Sequence, residues 1–315
     1  MDNILSEDLI VVTPVYEDKI ASSQLFQELS TTFDGRVFIV AVDDGSVKEP
    51  VDIASIKSAG LNGVVIKLKR NVGHQRAISI GLGFVAEHIS DSQYVVVMDS
   101  DGEDTPISIK PLVDAAKLPS VDIAVAQRKS RVESLKFKAF YVVYKWLFNL
   151  LSGKKISFGN FMALTPASVK RLVSMQELGI HIAGTVLSSK LRVETVSLDR
   201  GARYAGKSKM NFVGLVLHGF KGLMIFAEDV LVRVGVASAV VAGAALSGGI
   251  IATILKITGF ATPGWFSVAL GILLLVFLQT GTMTLMMLML TGVVKGGNAS
   301  LLDYKGFIDK VIYAK

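Results

Sequence analysis

The segment Asp99-Ser100-Asp101-Gly102-Glu103-Asp104 places four carboxylates within six positions, directly after the apolar run YVVVM (94–98). In an extended chain, residues two apart face the same side, so Asp99 and Asp101 are expected to converge on one cation, with Glu103 adding a third oxygen. Hard oxygen donors of this kind suit Mg2+ or Mn2+, ions that bridge to phosphate oxygens while keeping several waters. The bland alternative is a solvated acidic turn in which Asp104 or Thr105 caps the next helix.

Two earlier apolar runs end in a similar way. Thr13-Pro14-Val15-Tyr16-Glu17 offers a flat aromatic and a carboxylate, and Asp43-Asp44-Gly45-Ser46 offers two carboxylates before a glycine that permits a sharp turn. Carboxylates accept hydrogen bonds from a nucleoside. Either segment alone is weak. Three acidic strand ends on one edge of a sheet point to a shared ligand.

The elements that must position these groups are legible as valine- and isoleucine-rich runs: LIVVTPVY (9–16), VFIVAVDD (37–44), VVIKLKR (64–70), YVVVMDSD (94–101) and DIAVAQR (122–128). Strands alternating with helical stretches predict an α/β fold with a doubly wound, mainly parallel sheet. Near-continuous apolar runs fit strands covered on both faces, and ligands bind such sheets beyond the carboxyl ends of the strands. Thr105-Pro106 and Thr165-Pro166 each put a capping hydroxyl before a proline suited to the first helical position.

The chain has 315 residues, 51% of them hydrophobic, and a mean hydropathy of +0.51. The apolar excess lies after residue 230. No charge occurs from Val234 to Leu255 or from Ile257 to Val294, and each stretch holds the roughly 20 residues a bilayer-spanning helix requires. The expected organisation is a globular domain over 1–209, an amphipathic juxtamembrane segment over 210–230, and two transmembrane helices within 231–295, at about 232–256 and 265–292. A tail follows over 296–315. Gly259, Pro263 and Gly264 would make the turn of this helical hairpin, with Trp265 and Phe266 as interfacial anchors. ESLKFKAFYVVYKWLFNL (133–150) mixes lysines and aromatics as an interfacial or core-packed amphipathic helix would.

Lys295, Lys305, Lys310 and Lys315 follow the second span and Arg233 precedes the first, whereas the turn carries only Lys256. The positive-inside rule then puts both ends in the cytoplasm, and the acidic N-terminus lacks the regions of a signal peptide. With no cysteine, disulfides and thiolate zinc sites are excluded. The net charge of +6 and pI near 9.3 fit attraction to anionic lipid. No motif supports nucleic-acid binding.

With these motifs in place, the whole chain resembles the inverting family 2 glycosyltransferases, and within them the polyprenyl-phosphate branch. The resemblance rests on TPVYED, VDDGS, RNVGHQRAISIGL (70–82), MDSDGED and the late basic motif RYAGKSKMNF (203–212). It implies a glycosyltransferase A-type nucleotide-sugar fold followed by the transmembrane hairpin, in a bacterial-type inner (plasma) membrane, with a tetramer as one form of homo-oligomer. Pro14, Tyr16, Glu17, Asp43, Asp44, Asn71, Gly73 and Ser100 would frame the nucleotide; Asp99, Asp101 and Glu103 would hold Mg2+ or Mn2+. Arg128, Arg203 and Lys209 would surround the phosphates, guanidinium matching phosphate oxygens bidentately where lysine supplies a point charge. Arg131, Asn160, Lys207 and Ser208 would lie on the acceptor or phosphate side.

The implied reaction moves a hexose from a nucleotide diphosphate sugar, UDP-glucose by default with UDP-N-acetylhexosamines and GDP-sugars open, to polyprenyl phosphate. That acceptor is already an anion, so it can attack the anomeric carbon without a strong base, and catalysis rests on positioning and charge stabilisation. Asn160 stands where related bacterial enzymes often carry an acidic residue, and an amide cannot act as a base. His74 and His181 read as hydrogen-bonding rather than proton-transfer groups. A non-catalytic reading, in which the domain binds a nucleotide sugar and the hairpin docks a flippase or polymerase, predicts lost metal carboxylates; Asp99 and Asp101 are present.

Overall fold

The computed structural model describes residues 5–128, 135–204, 212–260, 262, 264–296 and 304–314. The described residues within 1–141, 156–225 and 299–315 form one compact unit, and those within 142–155 and 226–298 a second.

The first unit is built on alternation. β1 (Leu9–Val15), α1 (Lys19–Phe33), β2 (Phe38–Asp43), α2 (Ile53–Ser58), β3 (Asn62–Leu68), α3 (His74–His88), β4 (Tyr94–Val97), α4 (Ile109–Ala116) and β5 (Ile123–Arg128) follow the expected order. After α5 (Leu135–Ser152) come β6 (Met162–Leu164), α6 (Pro166–Val173), α7 (Ile182–Ser188), β7 (Val193–Leu198) and α8 (Phe212–Ile225). The strands form one eight-stranded sheet in the order β7-β5-β6-β4-β1-β2-β3-β8, where β8 is Ile308–Ala314. Pairing is parallel except at β6, antiparallel to both neighbours, and at β8, antiparallel to β3.

Period-two alternation divides the core between the two faces. Ile10, Val12, Val40, Val42, Val64 and Ile66 pack with Ile78 and Leu82 of α3. Val11, Ile39, Ala41 and Val65 pack on the other side with Leu25, Phe26 and Leu29 of α1. Fully burying such a side chain contributes roughly 1.5–3 kcal/mol, and apart from Thr13 the positions of β1 and β2 ahead of Asp43 are apolar. Of the two Thr-Pro starts, Thr165 accepts from Ser168 N at 3.4 Å at the head of α6. Thr105 instead meets the Ser108 hydroxyl at 2.8 Å, and Pro106 opens a single 3-10 turn ahead of α4.

The residues expected to form a tail contribute structure to this sheet. Beyond the second long helix, Tyr304 is 9% exposed in the core beside Gly83 of α3. β8 then pairs along β3, with Lys305 bonded to Glu87 at 2.9 Å.

The second unit holds α9 (Ala227–Ile257) and α10 (Trp265–Gly296), packed through Ala242, Ala245 and Ala252 and with Gly248 against Leu273. Both are long and apolar enough to cross a bilayer. Pro263 of the connecting segment lies outside the described residues. The end of α5 joins this unit: Phe148 meets Phe226 edge-on with ring centres 6.0 Å apart, and Arg233 donates to Leu150 O at 3.4 Å. Val142, Trp146 and Leu150 of α5 are exposed.

Candidate active site

β2 and β3 lie to one side of β1 and β4 to the other, so the chain reverses its direction of winding between β1 and β4. A crevice opens at the carboxyl ends of strands where the order reverses, and all three acidic strand ends sit there.

Asp43 and Asp44 are 2% and 3% exposed. Asp43 Oδ1 accepts from Ser46 N at 2.9 Å and closes the turn. Asp44 Oδ1 accepts from Val72 N at 2.7 Å and its Oδ2 from Gly73 N at 3.0 Å. Burial pushes the Asp44 carboxyl up, and those two amide bonds oppose it. Gly45, at φ +70°, lets the turn pass where a Cβ would lie 2.4 Å from the Arg70 carbonyl carbon. The Asp-Asp-Gly-Ser motif thus fixes the loop that starts α3. Glu17, at φ +47°, plays a matching part: its carboxylate accepts from the amides of Val47, Lys48 and Glu49 at 2.6–3.1 Å. The bonds from Val47 and Glu49 hold its carboxyl below the usual range. Pro14 is buried within β1, whereas Tyr16 and Asn71 are exposed.

β4 stops at Val97, four residues before Asp101. Asp99 and Asp101 therefore lie in the turn beyond the strand, where strand periodicity does not set their directions, and both act electrostatically on His74 and Arg200. Asp99 Oδ1 lies 3.2 Å from His74 Nε2. Burial alone would lower the His74 pKa; Asp99, followed by Asp101 and Asp44, raises it above the ordinary value. Ser100 is buried, and Asp104, 4% exposed, accepts from Asp99 N at 3.1 Å. Gly102, at φ +88°, turns the chain beneath Tyr204, whose ring a Cβ would meet at 2.6 Å.

Asp101 and Glu103 converge instead on the segment after β7. Arg203 Nη2 lies 2.9 Å from Asp101 Oδ2 and 3.3 Å from Glu103 Oε1, and Arg200 pairs with Glu103. Backbone bonds dock the segment: Gly201 N donates to Glu103 O at 2.9 Å and Tyr204 N to Asp101 O at 2.8 Å. Tyr204 Oη donates to Glu28 at 2.5 Å. Two carboxylates that meet at Arg203 Nη2, one of them also paired with Arg200, form a hard-oxygen pair that fits a divalent ion completed by phosphate oxygens and water. Among the described residues no three of His, Asp and Glu are gathered to hold a metal by themselves.

Opposite this acidic turn, Asn160 precedes β6. Its Nδ2 is 3.0 Å from His74 Nε2 and its Oδ1 accepts from Gln75 Nε2 at 3.1 Å. His181 caps α7, its Nδ1 accepting from Gly184 N at 3.0 Å, and its ring lies 4.4 Å from that of His218 on α8. Burial, and then His218, lower the His181 pKa to about 3. The side chain of Arg128, at the end of β5, and all of Arg131, Lys207, Ser208 and Lys209 lie outside the described residues.

Sequence reasoning passed over Arg200, Gln75 and His218. Arg200 stands three residues before Arg203 and Gln75 directly follows His74, so proximity to a motif was the available signal. No local pattern announced His218.

The profile of the glycosyl transferase family 2 domain matches residues 11–161. An uncharacterized glycosyltransferase of Bacillus subtilis (strain 168), YkoT, is 26% identical over 285 residues, covering 86% of this chain and 83% of its own. Among solved structures, glucosyl-3-phosphoglycerate synthase from Mycobacterium tuberculosis, in complex with Mn2+, UDP and glucosyl-3-phosphoglycerate, superposes with a TM-score of 0.49 at 16% identity, covering 72% of this chain and 80% of that one. A mycobacterial protein superposes with a TM-score of 0.47 at 19% identity, over 72% and 75%. Residues 11–161, which run from within β1 past β5 and carry the acidic strand ends, are the part of the chain that matches the glycosyl transferase family 2 domain.

Proposed function

We propose that the chain transfers a hexose from a nucleotide diphosphate sugar, with UDP-glucose the default donor, to a polyprenyl phosphate at a bacterial-type plasma membrane, inverting the anomeric centre. The observation that carries this reading is covalent. α8 ends at Ile225 and β8 begins at Ile308, both in the sheet-bearing unit, so the two long apolar helices leave that unit and return to it. If the pair crosses a bilayer, the catalytic unit is held on one face of it, where a lipid phosphate is the available acceptor. The exposed stripe Leu217, Phe220 and Met224 on α8, and that of Val142, Trp146 and Leu150 on α5, support contact with lipid.

The nucleotide sits at the switch-point edge, beside Tyr16 and the loops that Asp44 and Glu17 hold in place. Asp101 and Glu103 would hold Mg2+ or Mn2+, which would supply positive charge to the departing diphosphate. Arg200 and Arg203, released from those carboxylates, would face the phosphate oxygens, and the family resemblance gives Arg128 and Lys209 the same role. Asn160 and His74 lie beside Asp99, where the acceptor would enter. No residue there has to remove a proton, because a phosphate monoester arrives ionised.

The test is to incubate purified protein with polyprenyl phosphate, Mg2+ or Mn2+ and a panel of nucleotide sugars, and to identify the lipid product by mass spectrometry. A polyprenyl-phosphate hexose is expected; no product with any donor refutes the proposal.

A further inference from the structure

Gln75, one residue inside α3 and 8% exposed, has its amide committed at both ends. The buried backbone N–H of Ile182 donates to its Oε1 at 2.7 Å. A backbone N–H is a donor in every state, so the oxygen of Gln75 must face Ile182 and the nitrogen must face the other way. There Nε2 donates to Asn160 Oδ1 at 3.1 Å. The constraint passes on: with its oxygen used, Asn160 must turn its Nδ2 toward His74, which it meets at 3.0 Å from Nε2. One buried peptide N–H thereby sets the orientation of two amides.

Two groups meet at His74 Nε2. An ionised Asp99 oxygen, 3.2 Å away, only accepts, and the Asn160 amide nitrogen only donates. A single imidazole nitrogen serves one of them, never both. When it donates to Asp99, the Asn160 N–H has no acceptor on His74 and is a fixed donor beside the acidic turn. An anionic oxygen satisfies it; a neutral hydroxyl does so less strongly.

We infer that Gln75 is a positioning residue of the acceptor site, holding Asn160 with its amide nitrogen rather than its carbonyl toward the entering group and so favouring a phosphate oxygen. The inference rests on the transferase reading above. It also gives position 160 a reason to be an amide: an aspartate accepts from Gln75 equally well but turns an anionic oxygen toward an anionic acceptor.

Two substitutions test it in the full-length protein. Gln75→Glu keeps the bond from Ile182 but cannot donate to Asn160, so Asn160 turns over and presents its oxygen. Asn160→Asp leaves Gln75 and Ile182 untouched and replaces the donor at a half-exposed position, so it carries the test if Gln75→Glu does not fold. Both should raise the KM for polyprenyl phosphate by about tenfold, as expected for losing a hydrogen bond to a charged group, while the donor KM moves by less than about twofold. Polyprenol, the neutral alcohol, should be a poor acceptor for every form. An unchanged acceptor KM in Asn160→Asp, or donor and acceptor KM rising together, overturns the inference. If the wild type makes no lipid product, the transferase proposal fails separately. Inhibition of donor hydrolysis by inorganic phosphate then reads the same site: relief in Asn160→Asp supports the lock, and unchanged inhibition overturns it.

Discussion

Replacing Gly45 with alanine probes how closely the two loops at the switch point approach. Gly45 has φ +70°, and its Cβ would sit 2.4 Å from the Arg70 carbonyl carbon and 2.5 Å from Asn71 N, whereas ordinary contact starts at 3.4 Å. The obstructing atoms are backbone, so the 70–71 segment must retreat by about 1 Å, a displacement of the size that costs about 10²-fold when it reaches catalytic groups. Retreat also draws Val72 N and Gly73 N away from Asp44, to which they are bonded at 2.7 and 3.0 Å, and past about 3.5 Å such bonds are lost. A left-handed alanine costs about 1–2 kcal/mol, and each hydrogen bond to a carboxylate about 1.5–3 kcal/mol. Partial relaxation brings the total to roughly 3–5 kcal/mol, a large share of the 5–15 kcal/mol typical of a domain. Because His74 and Gln75 follow Gly73 directly, the same shift moves both. Gly45→Ala in detergent should therefore melt about 10 °C lower by circular dichroism and turn over nucleotide sugar about 10²-fold more slowly. A variant within about 1 °C and twofold of the wild type on these scales would refute the close approach of the loops.

Asp101→Asn should keep its melting temperature yet lose at least about 10²-fold in turnover, with Mn2+ binding in the presence of nucleotide, followed by electron paramagnetic resonance, weakened in parallel; an active variant contradicts the carboxylate's role. Ending the chain before Tyr304 removes β8, bares the edge of β3 and empties the space beside Gly83, so the sheet-bearing unit should become protease-sensitive; unchanged proteolysis would show that the return strand is dispensable. His181 is held neutral among His218 and Lys221, with a folded pKa of about 3 against 6.5 for the free group. The unfolded chain therefore takes up a proton first, so stability is retained above pH 6.5 and falls as the pH drops below it toward 3. His181→Gln should remove up to about 1.4 kcal/mol per pH unit of that acid slope, as read from urea melts between about pH 7.5 and 5.

Much of the sheet was legible because period-two apolar runs are local. LIVVTPV and FIVAVD become β1 and β2 with every central position buried, as strands covered on both faces must be. β4 was drawn too long: YVVVMDSD continues in composition, but the strand ends at Val97, and after Met98 N has donated to Val12 O at 3.2 Å the chain leaves the sheet for the acidic turn. β8 was missed, since IDKVIYA alternates only weakly and is ordered by the exposed edge of β3, more than 200 residues earlier in the chain. Glu17, Asp43 and Asp44 were singled out as nucleotide-framing residues; Asp43 closes its own turn through Ser46 N, whereas the carboxylates of Glu17 and Asp44 bind backbone amides of other loops, which no local motif reveals.

The sequence by itself determined what covalent spacing controls: the alternation of strands and helices, the acidic strand ends, the two charge-free stretches and the amide at position 160. Tertiary structure decided which of these groups meet. Arg203 reaches Asp101 across about a hundred residues, and the N–H of Ile182 orients Gln75 across 107. Such pairings depend on how loops pack once the sheet has brought their ends together. A hydrogen bond also acts only within about 3 Å and along a definite direction. Composition selects the carboxylates, amides and arginines; the geometry of the switch-point edge selects the one arrangement in which an acidic turn faces arginines on one side and an oriented amide on the other.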